Sequence, residues 1–347
     1  LVRRVVNRLV VKHHSEWFGG RTTGAWERFY KDLDPLEVKF CQKWQADQEW
    51  MSRVPPFDKG EAIWHMHPVV FLGAIRFQSE CACDRDITYD EIKDIAINVD
   101  DAVLKQNLAA LNQGFKRFGI TTCRGKAHFL AQVLHESGHF RYTTEIGGSR
   151  ADYQPWYGRG LIQVTLKTNY VAYGNYIGED VVSSEANRSK LKTPPHSVLS
   201  AFWFYKIHKS LDDSASNDDF NKVTASINGG FNGYSDRINI FKRAVEKLNA
   251  QHFSKLMENE GFPFESSAIF HSKIYSFGWG LWHDPDSSKV GTEKNKEKAL
   301  SGYKRARDLI MAEPFPESQR HKKVYGIEYG NLLTYINSRI EILEIKK

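Results

Sequence analysis

Between Ala127 and Leu134 the apolar residues Ala127, Leu130, Ala131 and Leu134 fall at i, i+3, i+4 and i+7, the spacing of one buried helical stripe. A different edge is polar, because His128, Gln132 and Glu136 recur every four residues. The pattern predicts a core-packed helix that carries Glu136 on its shoulder and stops near Gly138. After it, Tyr142–Ile146 favours a strand or hairpin and Gly147-Gly148 supplies a turn. Glu145 therefore leaves the helix on a separate element, nine positions after Glu136. Tyr157–Thr165 reads as a glycine turn feeding a strand, with Ile162 and Val164 on a core face and Gln163 and Thr165 on a polar one. Ile227–Gly233 is dense in residues that tolerate positive φ and reads as a loop ahead of Asp236 and Arg237.

Other stretches fill in the frame. Thr88–Glu91 is a capping box expected to start a helix through Ile97. Ser197 is expected to cap an apolar helix containing Phe202, Trp203 and Phe204, and Ile238–Leu248 is amphipathic. Val181–Pro195 is polar and reads as a loop. Tyr275–His283 is aromatic and Gly-rich. Gly291–Arg307 is a basic helical stretch that can turn Ala299, Tyr303 and Ala306 inward.

A chain of 347 residues is long for one small domain and suggests two or three units. Hydrophobic content of 41% is ordinary for a globular protein, and no apolar run approaches the length of a membrane span. The net charge of +6 favours an anionic polymer such as a bacterial cell wall, and no nucleic-acid motif accompanies it. The chain opens at Leu1 without a recognisable secretory signal, which reads as a fragment of a longer protein or a processed one. Of the cysteines, Cys81 and Cys83 are poorly placed to pair. An oxidised protein is expected to join one to Cys41 and the other to Cys123, and a reduced one to leave all four free. His65 and His67 can be written as metal ligands, although two histidines flanking one Met are more often surface or core residues.

The candidate chemistry lies in the two carboxylates. His135–His139 spells HESGH, the zinc-peptidase pattern, which requires both imidazoles on one face of a continuous helix. Gly138 sits inside that motif, and Tyr142 stands where the extended pattern needs glycine. A pair of acids suits glycoside hydrolysis instead: one proton donor to the leaving oxygen and one base opposite. Desolvation on an apolar helix is expected to keep Glu136 protonated, and Glu145 is expected to stay charged if Arg237 lies near it.

Taken in order, AHFLAQVLHESGHF, YGRGLIQVTLKTNY, SAFWFYKIHKSL and SINGGFNGYSDR resemble glycoside hydrolase family 19, nearer its phage-endolysin branch than its plant chitinases. The resemblance covers about residues 101–250. It implies a mainly α, lysozyme-like α+β superfamily domain with a small β-hairpin at the cleft, flanked by N- and C-terminal extensions (1–100 accessory, 101–252 lytic, 253–347 helical). It implies Glu136 as general acid, Glu145 as base and Thr165 as the hydroxyl that helps hold the attacking water. His135, Tyr157, Gln163, Asn169, Asn228 and Arg237 match sugar-contacting or supporting positions. Inversion is implied, with the carboxyls roughly 6.5 to 9.5 Å apart.

VVKHHSEWFG and AIWHMHPVVFLG resemble segments found beside lysozyme-like domains in type VI secretion effectors. The resulting expectation is a muramidase that cleaves β-1,4 bonds of peptidoglycan in the periplasm of a target bacterium. It would be a monomer opposed by a cognate immunity protein, with no cofactor, no metal, no nucleic acid and no membrane span. A chitinase and, more remotely, a zinc metallopeptidase are the alternatives. Glu136→Gln and Glu145→Gln are both expected to abolish muropeptide release while leaving the thermal melt nearly unchanged.

Overall fold

The computed structural model describes residues 10–13, 24, 26–31, 33–48, 50, 53–55, 63–66, 81–148, 152–250 and 262–345. They belong to two compact units, divided between Glu80 and Cys81. In the first, strands Val10–His13 and Ile63–Met66 pair antiparallel, Val10 opposite Met66. A helix spans Pro35–Gln48, and the Asp34 carboxylate accepts from the backbone N–H groups of Leu36 and Glu37 at its start. The His65 side chain and all of His67, the two candidate ligands, lie outside the described residues, as does Trp17.

The second unit is mainly helical, as expected. Its centre is the helix Cys123–Glu136, started by the Thr122 hydroxyl accepting from Gly125 N–H at 3.0 Å. Every residue from Gly125 to Leu134 is buried, so the expected single stripe understates it. The helix is enclosed all round, and its polar edge had to find internal partners. His128 meets the Asp218 carboxylate at 2.7 Å, and Gln132 Nε2 donates to the Thr224 hydroxyl at 3.1 Å. On the apolar side Phe129 stacks on Phe202, with centroids 4.0 Å apart, and Phe115 meets Phe202 edge-on at 5.0 Å. Each such ring withdrawn from water contributes about 1.5–3 kcal/mol. These contacts join the central helix to Asp101–Phe118 and His196–Trp203.

The Thr88 capping box forms as expected and starts a helix that ends at Ile95, two residues short of Ile97. Ser197 does not cap. The helix begins at His196 after Pro195, and the buried Ser197 hydroxyl sits inside it. The expected loop 181–195 contains a short helix, Glu185–Ser189.

At the expected cleft hairpin there are only isolated antiparallel bridges, Thr144 to Arg159 and Arg159 to Val164. Gly160, Gln163 and Leu166 all take positive φ (82°, 55° and 73°), and a chain that turns so often cannot hold a strand. A regular hairpin occurs elsewhere, between Lys323–Val324 and Ile327–Glu328.

The expected limits at 101 and 252 fall inside this unit, and the C-terminal region is part of its core. Helices Lys273–His283, Lys296–Ala312 and Tyr329–Ile345 bury Ala299, Tyr303 and Ala306 completely. The buried Asp284 carboxylate ties the three together, accepting from Arg339 at 2.8 Å through both oxygens and from Tyr303 OH at 2.9 Å. Among the described residues no helix is long and apolar enough to cross a membrane.

Candidate active site

Glu136 is the last residue of the central helix. Gly138, His139 and Phe140 then all adopt left-handed backbone, with φ of 55°, 59° and 67°. The turn doubles the chain back, so that Tyr142 N–H donates to Ser137 O at 2.8 Å. The zinc reading fails on this geometry, because His139 has left the helix and is not the i+4 neighbour of His135 on one face. His135 instead donates through Nδ1 to the Asp236 carboxylate at 2.6 Å.

Arg237 is the main correction. It was expected beside Glu145, yet its guanidinium pairs with the Glu136 carboxylate. Arg237 is fully buried, with Nη1 donating to Gln132 Oε1 at 2.7 Å and Nε to Asn232 O at 3.3 Å. Burial works against its charge, and the Glu136 carboxylate offsets that cost. Glu136 therefore sits against a cation and not, as expected, in an apolar pocket. It is also a counter-charge to a buried guanidinium, so Glu136→Gln is now expected to lower the melt.

The loop before Arg237 is built for close approach. Helix Phe220–Asn228 takes in Ile227 and Asn228, which were expected in the loop, and places Asn228 at its end, where Oδ1 accepts from Asn232 N–H at 3.0 Å. Gly233 has φ +66°, and a Cβ there would lie 2.1 Å from the His135 ring. Only glycine brings the start of helix Tyr234–Lys247 this near to Glu136.

Glu145 is held by a separate set of groups. Its backbone N–H donates to Gly158 O at 2.9 Å, while its carboxylate accepts from Gly158 N–H at 2.7 Å and from the Tyr153 hydroxyl. A Cβ at Gly158 would meet Gln163 Oε1 at 2.8 Å and Glu145 Cβ at 3.3 Å, so the glycine brings these two side chains together. Gln163 Nε2 donates to Gly160 O at 2.8 Å, and its Oε1 has no partner. Thr165 Oγ1 donates to Gln163 O at 2.7 Å, and Asn169 Nδ2 to Thr165 O at 2.8 Å. Ile162 and Val164 are buried while Gln163 and Thr165 are half-buried, which is the division that alternation predicted.

Tyr157 is 9% exposed, with the Arg159 guanidinium 3.6 Å from its ring centroid, so the ring packs on that side chain and shapes the turn. Arg159 is itself buried and joined to Glu185 at 2.8 Å and Tyr170 OH at 2.7 Å. Although desolvation raises it, Glu185 is held at about 2, mainly by its hydrogen bond and charge contact with Arg159.

The nine sequence-derived residues thus form two groups. His135, Glu136, Asn228 and Arg237 gather around the 228–237 loop, and Glu145, Tyr157, Gln163, Thr165 and Asn169 follow the 143–169 turns. The segment Ser137–Thr144 joins them. Sequence reasoning missed Tyr153, Asp236 and Gln132. Gln132 had left a signal, since it lies one turn before Glu136 on the polar edge. A cavity of about 410 Å³ lies between Asn217–Asn221 and Phe262–Ala268, but none of the nine lines it, so it is not where we place the reaction.

No family model matches the chain. It is similar to a glycosyl hydrolase family 19 domain-containing protein of Haemophilus influenzae, 36% identical over 86 residues, which are 24% of this chain and 38% of the relative. It is also similar to chitinase 4 of Oryza sativa subsp. japonica, 30% identical over 116 residues (30% and 39%). An endochitinase of Arabidopsis thaliana is 35% identical over 106 residues (26% and 38%). The similarity is thus to family 19 glycoside hydrolases, and the chain spans well under half the length of these curated relatives. Among solved structures, chitinase C from Streptomyces griseus HUT6037 aligns at 21% identity and a TM-score of 0.40, covering 47% of this chain and 92% of that one.

Proposed function

We propose that residues 101–252 form the lytic part of a glycoside hydrolase, lysozyme-like in fold, that cuts β-1,4 bonds between N-acetylated aminosugars of peptidoglycan. One observation carries this reading. Two carboxylates flank the Ser137–Thr144 segment and are held by unlike partners, Glu136 by a buried guanidinium and Glu145 by a backbone N–H and a phenol. Two acids in unlike surroundings suit the division into proton donor and base.

In the mechanism Glu136 gives its proton to the leaving oxygen, and Arg237 steadies the carboxylate that results. Glu145 takes a proton from a water as it attacks the anomeric carbon, and the Thr165 oxygen accepts a hydrogen bond that orients that water. Inversion follows if the carboxyls stand roughly 6.5 to 9.5 Å apart, leaving room for the water.

Peptidoglycan is favoured over chitin by the net charge of +6, which suits an anionic wall. Chitin remains the second reading, because the curated relatives named above include chitinases. We place the protein as a monomeric effector delivered to the periplasm of a target bacterium, with a cognate immunity protein as its partner. Digesting purified sacculi and chitin oligosaccharides in parallel, with mass spectrometry of the new reducing ends, tests the substrate. Release of muropeptides ending in reducing muramic acid supports the proposal, and release from chitin alone overturns it.

A further inference from the structure

Three of the four cysteines have no part in the proposed reaction. The Sγ atoms of Cys81, Cys83 and Cys123 stand 2.8, 3.0 and 3.1 Å apart, a nearly equilateral triangle. A disulfide draws one pair to about 2.05 Å and leaves the third sulfur out. Here no pair is selected, and the three sulfurs lie within one ion's reach of each other. They are the one group of three or more metal-ligating side chains found among the described residues.

We infer that Cys81, Cys83 and Cys123 form a three-thiolate site for a soft divalent ion of the zinc class, which neither the sequence reading nor the proposed glycosidase assigns. The cradle is anchored on several sides. Ala82 N–H donates to Leu248 O at 3.1 Å, Asp84 N–H to Thr121 O at 2.8 Å, and Cys123 N–H to Cys83 Sγ at 3.0 Å. Cys123 is the first residue of the Glu136 helix, so the positive end of that helix faces the sulfurs. The Lys126 ammonium, buried and bonded to Ala82 O and Arg85 O, adds a positive charge beside them. It offsets the net negative charge of one divalent ion with three thiolates.

A tetrahedral ion with metal–sulfur bonds of about 2.3 Å needs sulfurs about 3.7 Å apart. The triangle must open by under an ångström, which the irregular loop carrying Cys81 and Cys83 can accommodate. A water would complete the fourth position. Cys123 lies thirteen residues before Glu136, about 20 Å along the helix axis, so the ion is structural and clamps the 81–85 loop onto the helix start.

The test uses the full chain, purified reduced and metal-free, and titrated with Co²⁺. We expect one Co²⁺ per chain with thiolate-to-cobalt charge-transfer absorption in the near ultraviolet, displaced by Zn²⁺, and a melt raised by several degrees. Cys83→Ser abolishes the absorption, and so does Cys81→Ser, which changes the same half-exposed loop. Cys41→Ser leaves it intact. A reduced chain that is folded by circular dichroism but shows no such absorption overturns the inference. So does a disulfide from Cys123 to Cys81 or Cys83 that persists when the protein is produced in excess zinc. None of these readouts depends on glycosidase activity.

Discussion

At the residue scale the two carboxylates should separate when each is replaced. Glu136→Gln and Glu145→Gln both remove an ionisable group the reaction needs, and each should lower sacculus digestion by about 10²–10⁴-fold. Their melts should differ. Glu136→Gln strips a buried guanidinium of its counter-charge while keeping an acceptor oxygen, at a cost of about 1–3 kcal/mol. Glu145→Gln loses only a half-exposed set of hydrogen bonds and should melt within about a degree of the parent. Calorimetry beside a muropeptide assay checks both, and equal melts would remove the structural role given to Arg237. Tyr153→Phe should cut activity by less than either carboxylate change, with no loss of stability, because its exposed hydroxyl only orients Glu145. Part of this scale was legible: alternation separates buried Ile162 and Val164 from half-buried Gln163 and Thr165. The Glu136–Arg237 pair was not, because its members are 101 positions apart and no local pattern encodes which carboxylate a distant cation will choose.

At the scale of elements, apolar spacing located the helices, since a core-facing segment must repeat near 3.6 residues. It failed where backbone conformation decides the outcome. Nothing in Gly158–Leu166 beyond its glycines announces that Gln163 and Leu166 take positive φ, and those turns reduce the expected hairpin to single bridges. Gly233 is where this matters most for function. Alanine there would suffer both the unfavourable φ and a methyl group driven into the His135 ring, and the ring is held by Asp236. Relieving the clash moves the start of helix Tyr234–Lys247, and Arg237 with it. Gly233→Ala should cost about 2 kcal/mol or more and depress turnover even where the protein stays folded. Gly178→Ala is the control. It shares the positive φ, at +75°, but no atom lies within 4 Å of the added carbon, so it should cost only the backbone strain and leave turnover intact.

For the whole second unit, the sequence left the C-terminal region as a helical extension, and packing gives it a further place. Trp279 and Trp282 lie edge-on to Phe231, with centroids 5.4 and 6.1 Å away, and Trp282 Nε1 donates to Asn232 Oδ1 at 3.1 Å. Gly291 O accepts from Ser235 N–H at 2.9 Å. The loop that delivers Arg237 thus rests on helix Lys273–His283 and the segment after it, and no motif in 253–347 could have shown this because the contacts are long-range. The seam can be probed by acid. His283 is 2% exposed at the end of its helix, its ring 4.2 Å from Trp279 and 6.3 Å from Tyr234, and burial pushes it down to about 4. The unfolded chain takes up that proton near pH 6.5 and the folded chain does not until about pH 4. Stability from this group is therefore complete above pH 6.5 and declines as pH falls toward 4, by on the order of 3 kcal/mol in all. In His283→Gln that share of the slope should vanish, so melts of the two proteins at pH 7 and pH 5 should differ more for the parent. Parallel pH dependences would place the acid sensitivity elsewhere and remove His283 from the seam's energetics.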